Sequence, residues 1–214
     1  MKIYITTLYI VLFSSFTFAQ QNNEDSIQSK IKRFSIGIKG GVPNGLSGTL
    51  EITPPLFASH FALYVDVGNL NIKLENEDIN LKYNEYGINY YFGKEAKGIY
   101  VSAGVSKLNT NLIYTGLEVT AAENITYSGS ARIEEQISSK NIKLGVKTGG
   151  RIFFRLELGY GFSNNVPNTL TILASANTPS GIINETQTVD FPEVIGIGEK
   201  GLFVGNIGFG ISLL

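Results

Sequence analysis

The charged side chains that could do chemistry in this chain sit on segments that alternate, residue by residue, between bulky apolar and small or polar positions. Lys143, Arg155 and Glu157 all fall on the polar side. If their two segments pair through a turn at Thr148-Gly149-Gly150, Lys143 lies opposite Arg155 and Gly145 opposite Phe153. Glu157 then sits diagonally from Lys143, so two cations bracket one carboxylate. By the same logic Lys39 opposes Thr49 and lies diagonal to Glu51, while Asp66 adds another acid on the same face. Enclosed by a sheet, such a set either lines a path for ions or locks strands together as a salt-bridge plug. His60 is the single histidine. As a general base it would need Ser59 or Glu51 beside it. Ser59 points to the opposite face of a strand and Thr49 is the expected cross-strand neighbour, so His60 reads as an interior side chain rather than a catalytic one. One His and no Cys exclude thiolate nucleophiles, disulfides and a recognisable metal-ligand spacing. No cofactor is implied. The Gly-rich stretches Gly37–Gly41 and Gly205–Gly210 lie inside alternating segments and open no helix, so they are not phosphate-cradling loops.

The elements that must carry these residues are strands. Ile152, Phe154, Leu156, Leu158, Tyr160 and Phe162 share one face against Arg151, Phe153, Arg155, Glu157, Gly159 and Gly161. That is a period of two. Equivalent alternation predicts strands around Phe34–Val42, Leu46–Ile52, Phe57–Asp66, Ile79–Phe92, Ile99–Ser106, Asn141–Lys147 and Phe203–Leu213, eight in all. In the fourth, Ile79, Leu81 and Tyr83 run in the opposite phase to Tyr86, Ile88 and Tyr90, which suggests a bulge near Asn84. Connections alternate in length. Pro54-Pro55, Gly93–Lys97 and Thr148–Gly150 are tight. Leu108–Ser138 and Ser163–Lys200 are long, and stretches of them (Ile113–Thr120, Thr169–Ala174) alternate as well, so those hairpins are expected to project past the rest.

Composition decides which face meets water. Charged residues make up only 16% of the chain, against about 25% in soluble domains. The polar faces are crowded with glycine, of which there are 24, whereas every apolar face carries bulky Phe, Ile, Leu or Tyr, with aromatics at many strand ends (Phe34, Phe92, Tyr160, Phe162, Phe203). Small residues suit a narrow interior, and an aromatic-bounded apolar wall suits lipid. The chain is therefore expected to be all-β: an eight-stranded antiparallel up-and-down transmembrane β-barrel. Residues 1–19 read as a signal peptide with Lys2, an apolar run from Ile3 to Phe13 and a small-residue cleavage site at Thr17-Phe18-Ala19; residues 20–32 read as a polar leader, and 33–214 as the barrel. No Cys follows Ala19 to take a lipid anchor. With 17 basic against 18 acidic residues, there is no basic footprint for nucleic acid.

These features resemble the small outer-membrane β-barrels of the OmpA/OmpX and PorT-like type. The resemblance rests on the signal peptide, the alternating turns and loops, the opening Phe34-Ser35-Ile36-Gly37-Ile38-Lys39-Gly40-Gly41-Val42 and the closing Gly201–Leu214 strand. The chain departs from the pattern in ending on Leu213-Leu214 rather than an aromatic residue, and no peptidoglycan-binding domain is expected after the last strand. The resemblance implies a monomer in the cell outer membrane, contacts with outer-membrane lipid and, during insertion, with the barrel-assembly machinery. The expected role is structural, with long loops available to an extracellular ligand. Eight strands leave an interior that side chains fill, which favours the plug over a pore for Lys39, Glu51, Asp66, Lys143, Arg155 and Glu157. Two alternatives belong to other classes: a lipid-modifying barrel enzyme using His60, and a soluble lipocalin-like barrel that turns its apolar face inward around a ligand. In a bacterial envelope the Asn124-Ile125-Thr126 sequon is accidental. The loop residues Tyr114, Leu117, Leu170, Ile172, Ile183 and Phe191 are the expected interaction surface.

Overall fold

The computed structural model describes residues 33–55, 59–120, 126–163, 166, 169–178, 181–190, 197–198 and 201–213. The proposed signal peptide and leader, Phe57, Asn124, Ile125 and Phe191 lie outside the described residues. Alternation becomes strands throughout: β1 (Phe34–Val42), β2 (Gly45–Ile52), β3 (Phe61–Lys73), β4 (Glu77–Tyr91), β5 (Gly98–Thr120), β6 (Thr126–Lys147), β7 (Ile152–Phe162), β8 (Thr169–Thr178), β9 (Gly181–Asp190), β10 (Ile197–Gly198) and β11 (Gly201–Leu213). Strands β1 to β7 pair antiparallel in chain order, and β11 closes the ring between β7 and β1. This is a closed eight-stranded up-and-down barrel. Among the described residues no helix is long and apolar enough to cross a membrane.

The pairing register fixes the barrel's geometry. A row of partners that starts at Leu108 on β5 runs through Tyr83, Gly68, Ser47, Lys39, Gly208, Arg155 and Lys147 and returns to β5 at Gly98, ten residues from its start. Eight strands with that offset tilt by about 40° from the barrel axis. An eleven-residue strand such as β7 then rises roughly 28 Å, enough for the ~25 Å apolar band of a membrane barrel. The turns after β2, β4 and β6 share one rim with both ends of the barrel sequence, and the longer excursions leave from the other.

Several sequence expectations are corrected here. No register shift occurs near Asn84, because β4 pairs without interruption with both β3 and β5. The irregularity lies instead in β5, between Thr115 and Leu117, where Gly116 adopts φ +81°. The phase change at Asn84 is a reversal of polarity along an unbroken strand. The β6–β7 connection spans residues 148–151, so Lys147 opposes Arg155, Lys143 opposes Gly159 and Gly145 opposes Glu157. Lys39 opposes Ser47, while Thr49 pairs with Gly37 and Asp66. Strands β5 and β6 run far beyond the predicted Ser106 and Asn141, and β8–β9 is an additional hairpin, attached through Gly129–Arg132 of β6.

Candidate functional site

Period-two geometry sends one side chain in two toward the barrel axis, and there the charges collect. Among the described residues eight charged groups are buried: the carboxylates Glu51, Asp66, Glu85 and Glu157 and the cations Lys39, Lys143, Lys147 and Arg155. Four negative charges thus meet four positive ones. Outward residues on the same strands, such as Ile36, Leu50, Val65, Tyr86, Leu144 and Phe154, are exposed.

The charges form three linked nodes. Nearest the short-turn rim, Glu51 accepts hydrogen bonds from Lys147 Nζ (2.5 Å), Arg155 Nη2 (2.6 Å), Asn89 Nδ2 (2.7 Å) and the Tyr91 hydroxyl (2.9 Å). Lys147 also donates to Ser35 Oγ at 2.9 Å. At mid-height, Glu157 accepts from Lys39 Nζ (2.9 Å) and from the Tyr100 hydroxyl (2.7 Å), with Lys143 Nζ at 3.6 Å and Arg155 Nη1 at 4.0 Å. Asp66 Oδ2 forms an ion pair with Lys39 Nζ at 2.5 Å. Toward the other rim, Glu85 accepts from Lys143 Nζ (2.9 Å), Asn141 Nδ2 (2.9 Å) and the hydroxyls of Tyr64 and Tyr83 (both 2.8 Å). Acid and base alternate along the axis as Glu51, Arg155, Glu157, Lys143 and Glu85. Charge-assisted bonds of this kind are the strong ones, and the carboxylates of Glu51, Glu85 and Glu157 accept further bonds from neutral Asn and Tyr donors.

Aromatic rings fill the space between the nodes. Lys147 Nζ stands 4.6 Å from the Phe153 ring centroid and Lys143 Nζ 4.7 Å from that of Tyr64, both within cation–π range. Tyr91 and Tyr100 pack with ring centroids 4.8 Å apart. Glycine makes these placements possible. A Cβ on Gly145 would overlap the Tyr100 ring, and one on Gly210 would come within 2.7 Å of the Phe153 ring.

Of the residues singled out from sequence, Lys39, Glu51, Asp66, Lys143, Arg155 and Glu157 are all buried and all belong to this network; Lys143 and Arg155 flank Glu157 as the sequence places them, while the partners of Lys39 differ. Lys39 meets Asp66 and Glu157 rather than Glu51. Sequence reasoning misses Glu85, Lys147, Asn89, Asn141 and the inward tyrosines, although most share the parity of the polar faces. His60 is not an interior side chain opposite Thr49. It sits at the turn before β3, half-buried, with Nδ1 2.7 Å from the Tyr91 carbonyl oxygen and its ring stacked on Tyr90. Ser59 beside it is buried at φ 60°, and Glu51 is engaged by Lys147, Arg155, Asn89 and Tyr91 as above. Among the loop residues, Tyr114 is exposed and Ile172 half-buried. The side chains of Leu117, Leu170 and Ile183 lie outside the described residues.

No family's sequence model matches the chain, and no curated protein matches it. Among solved structures, a major outer membrane protein from Thermus thermophilus is similar over 84% of this chain and 98% of that one, at 13% identity and a TM-score of 0.50. Acinetobacter baumannii CarO is similar over 84% of this chain and 97% of that one (15% identity, TM-score 0.44), and A. baumannii CarO2 over 86% and 100% (14%, 0.47). The chain has the fold of an outer-membrane β-barrel. At these identities the likeness is one of fold, and what the barrel does must be argued from its own residues.

Proposed function

We propose that this chain is an integral outer-membrane protein whose barrel is a closed structural anchor of the OmpA/OmpX-like kind, presenting extended hairpins outside the cell. One observation carries the reading: side-chain polarity reverses along unbroken strands. In the barrel body the wall is apolar and the interior charged. Farther up β3 to β6, the inward positions become Leu70, Ile79, Leu81, Leu108 and Ile137, while the outward ones become Asn69, Asn71, Lys82, Asn109 and Gln136. One solvent cannot favour both patterns. Hydrocarbon around the body and water around the extensions favour each in turn. A lipocalin-like reading would need an apolar interior, and the interior holds the ion-pair ladder instead.

The ladder supports a plug rather than a pore. Arg155, Lys39, Lys143, Tyr83, Tyr91, Tyr100 and Phe153 are each at most 2% exposed, so the side chains that would line a channel are packed against one another. A salt-bridge core of this kind ties β1, β2, β3, β4, β6 and β7 together across the axis. In this reading the barrel acts as a monomer in contact with outer-membrane lipid, reaches the membrane through the barrel-assembly machinery and leaves any ligand to the hairpins.

Fractionation with unboiled and boiled gel samples tests the placement. The expected result is recovery in the outer membrane with mobility that changes on boiling; recovery in the soluble extracytoplasmic fraction would refute it. Planar-bilayer recording tests the plug, for which the expected trace shows no stable conductance steps. Steady single-channel openings would replace the plug with a pore.

A further inference from the structure

Among the described residues, a run of three lysines on adjoining strands marks the outer wall along the line where polarity reverses. Lys82 on β4, Lys107 on β5 and Lys140 on β6 all point outward and are exposed. Asn84 opposes Lys107, which opposes Ser138, and Val105 opposes Lys140, so each lysine is the diagonal neighbour of the next on the adjoining strand. Each step moves two residues toward the short-turn rim, and the shear of the barrel offsets most of that, so the three ammonium groups girdle the wall at nearly one height. Among the described residues none has a carboxylate partner. Below them, among the described residues, the outward positions of β4 to β7 toward the short-turn rim are uncharged: Tyr86, Ile88, Tyr90, Val101, Val105, Ile142, Leu144, Leu158 and Tyr160 are exposed on the wall.

A crevice of about 860 Å³ opens at this place, lined by Lys107 and Lys140, by Tyr86 and Val105 toward the short-turn rim, and by Phe162 opposite Lys140 on β7. Its upper lip is cationic and its lower wall is aromatic and aliphatic. A ligand that satisfies both carries a phosphate and acyl chains in one molecule. We propose that Lys82, Lys107 and Lys140 form a binding site for a phosphorylated lipid of the outer leaflet, with phosphate on the lysines and an acyl chain along Tyr86 and Val105. The inference rests on the membrane placement argued above and adds the lipid class that the wall selects. It gives the barrel a fixed rotational relation to its lipid shell, since the lysines occupy only three of its eight strands.

The test uses the full chain purified from outer membranes in detergent, with native mass spectrometry counting bound lipid. The probes are phosphorylated lipid A, the same lipid A with its phosphate removed, and inorganic phosphate. The expected result is retention of phosphorylated lipid A, weakened about fivefold for each of Lys82→Gln, Lys107→Gln and Lys140→Gln and roughly a hundredfold in the triple variant. Lys94→Gln, an exposed lysine at the short-turn rim, serves as the control and is expected to change nothing. Equal binding of dephosphorylated lipid A, equal binding by the triple variant, or occupancy by inorganic phosphate without lipid would each overturn the site. The boiled and unboiled gel is run first on parent and variants. A parent that shows no heat-dependent mobility refutes the membrane placement itself, and a variant that shows it while losing lipid locates the loss in the site rather than in the fold.

Discussion

The barrel body and the strands that continue above it share one hydrogen-bonded ladder and obey opposite side-chain rules. On β4, Tyr86, Ile88 and Tyr90 face out while Glu85, Asn89 and Tyr91 face in; a few residues higher, Lys82 faces out while Leu81 and Ile79 face in. Backbone pairing is indifferent to this change, since the β4–β5 register runs from Glu77 to Tyr91 without a break. The contrast teaches that strand geometry and burial are separate instructions. In the proposed membrane placement the body's wall meets hydrocarbon, so the polar groups must find one another inside. Where it meets water, the arrangement becomes that of an ordinary sheet with its apolar residues enclosed.

The interior of the body should be the most sensitive place in the molecule. Glu157→Ala leaves Lys39, Lys143 and Arg155 around an empty position, and breaking a buried ion pair from one side typically costs about 3 to 5 kcal/mol. The measurement is the urea midpoint of the barrel folded into lipid vesicles, read by the heat-dependent gel shift. A midpoint equal to the parent's would mean that the ladder contributes little and the body is held by its backbone and wall alone. Next in size is the wall. Ile207→Arg, in the apolar belt of β11, should cost about 2 to 4 kcal/mol, whereas Asn109→Arg, outward on β5 above the lysine line, should cost about 0 to 1. Equal effects at the two positions would abolish the distinction between body and extension.

Much of this is legible without coordinates, and the failures have a common cause. Period-two counting assigns Ile152, Phe154 and Leu158 to the wall and Lys39, Glu51, Arg155 and Glu157 to the interior because side-chain parity is a local property. Partners are not local. Lys39 meets Asp66 and Glu157 from strands β3 and β7, neither reachable by extrapolating the β1–β2 hairpin, because shear decides which heights coincide across the interior. The four-residue β6–β7 connection likewise moves every expected pair along the strand. Glu85 escapes notice for a different reason. It lies two residues from Tyr83, where the hydrophobic phase turns over, and the phase change resembles a bulge although the pairing there is unbroken. His60 is misplaced because alternation carries no signal for where a strand begins, and β3 starts one residue after it.

A third effect probes how tightly the body is filled. Gly145→Ala places a methyl group against the Tyr100 ring, whose hydroxyl donates to Glu157, so the ring must shift away from its acceptor. Overpacking of this kind costs about 1 to 3 kcal/mol. The same substitution at Gly48, whose Cβ would meet only the Val67 carbonyl oxygen at 3.9 Å, should be close to neutral. If Gly145→Ala is as well tolerated as Gly48→Ala in the urea titration, the interior has room that the packed tyrosines do not suggest.

The smallest effect concerns the hairpin that touches the body least. Strands β8 and β9 pair with each other over ten residue pairs, and among the described residues β8 joins the rest of the sheet through Gly129–Arg132 of β6, themselves far above the lysine line. None of the eight buried charges lies on it. Replacing residues 169–190 with a short Gly/Ser linker therefore removes no interior contact, and loop-closure entropy changes slowly with loop length. The expected outcome is a barrel that still inserts, still shifts on boiling and has an unfolding free energy within about 1 kcal/mol of the parent. A larger loss would mean that the hairpin braces β6, so that the extensions, for all their different side-chain rule, form one cooperative unit with the wall. Retention of stability would identify them as elements the anchor carries without depending on them, which is the condition under which their surfaces are free to serve a ligand.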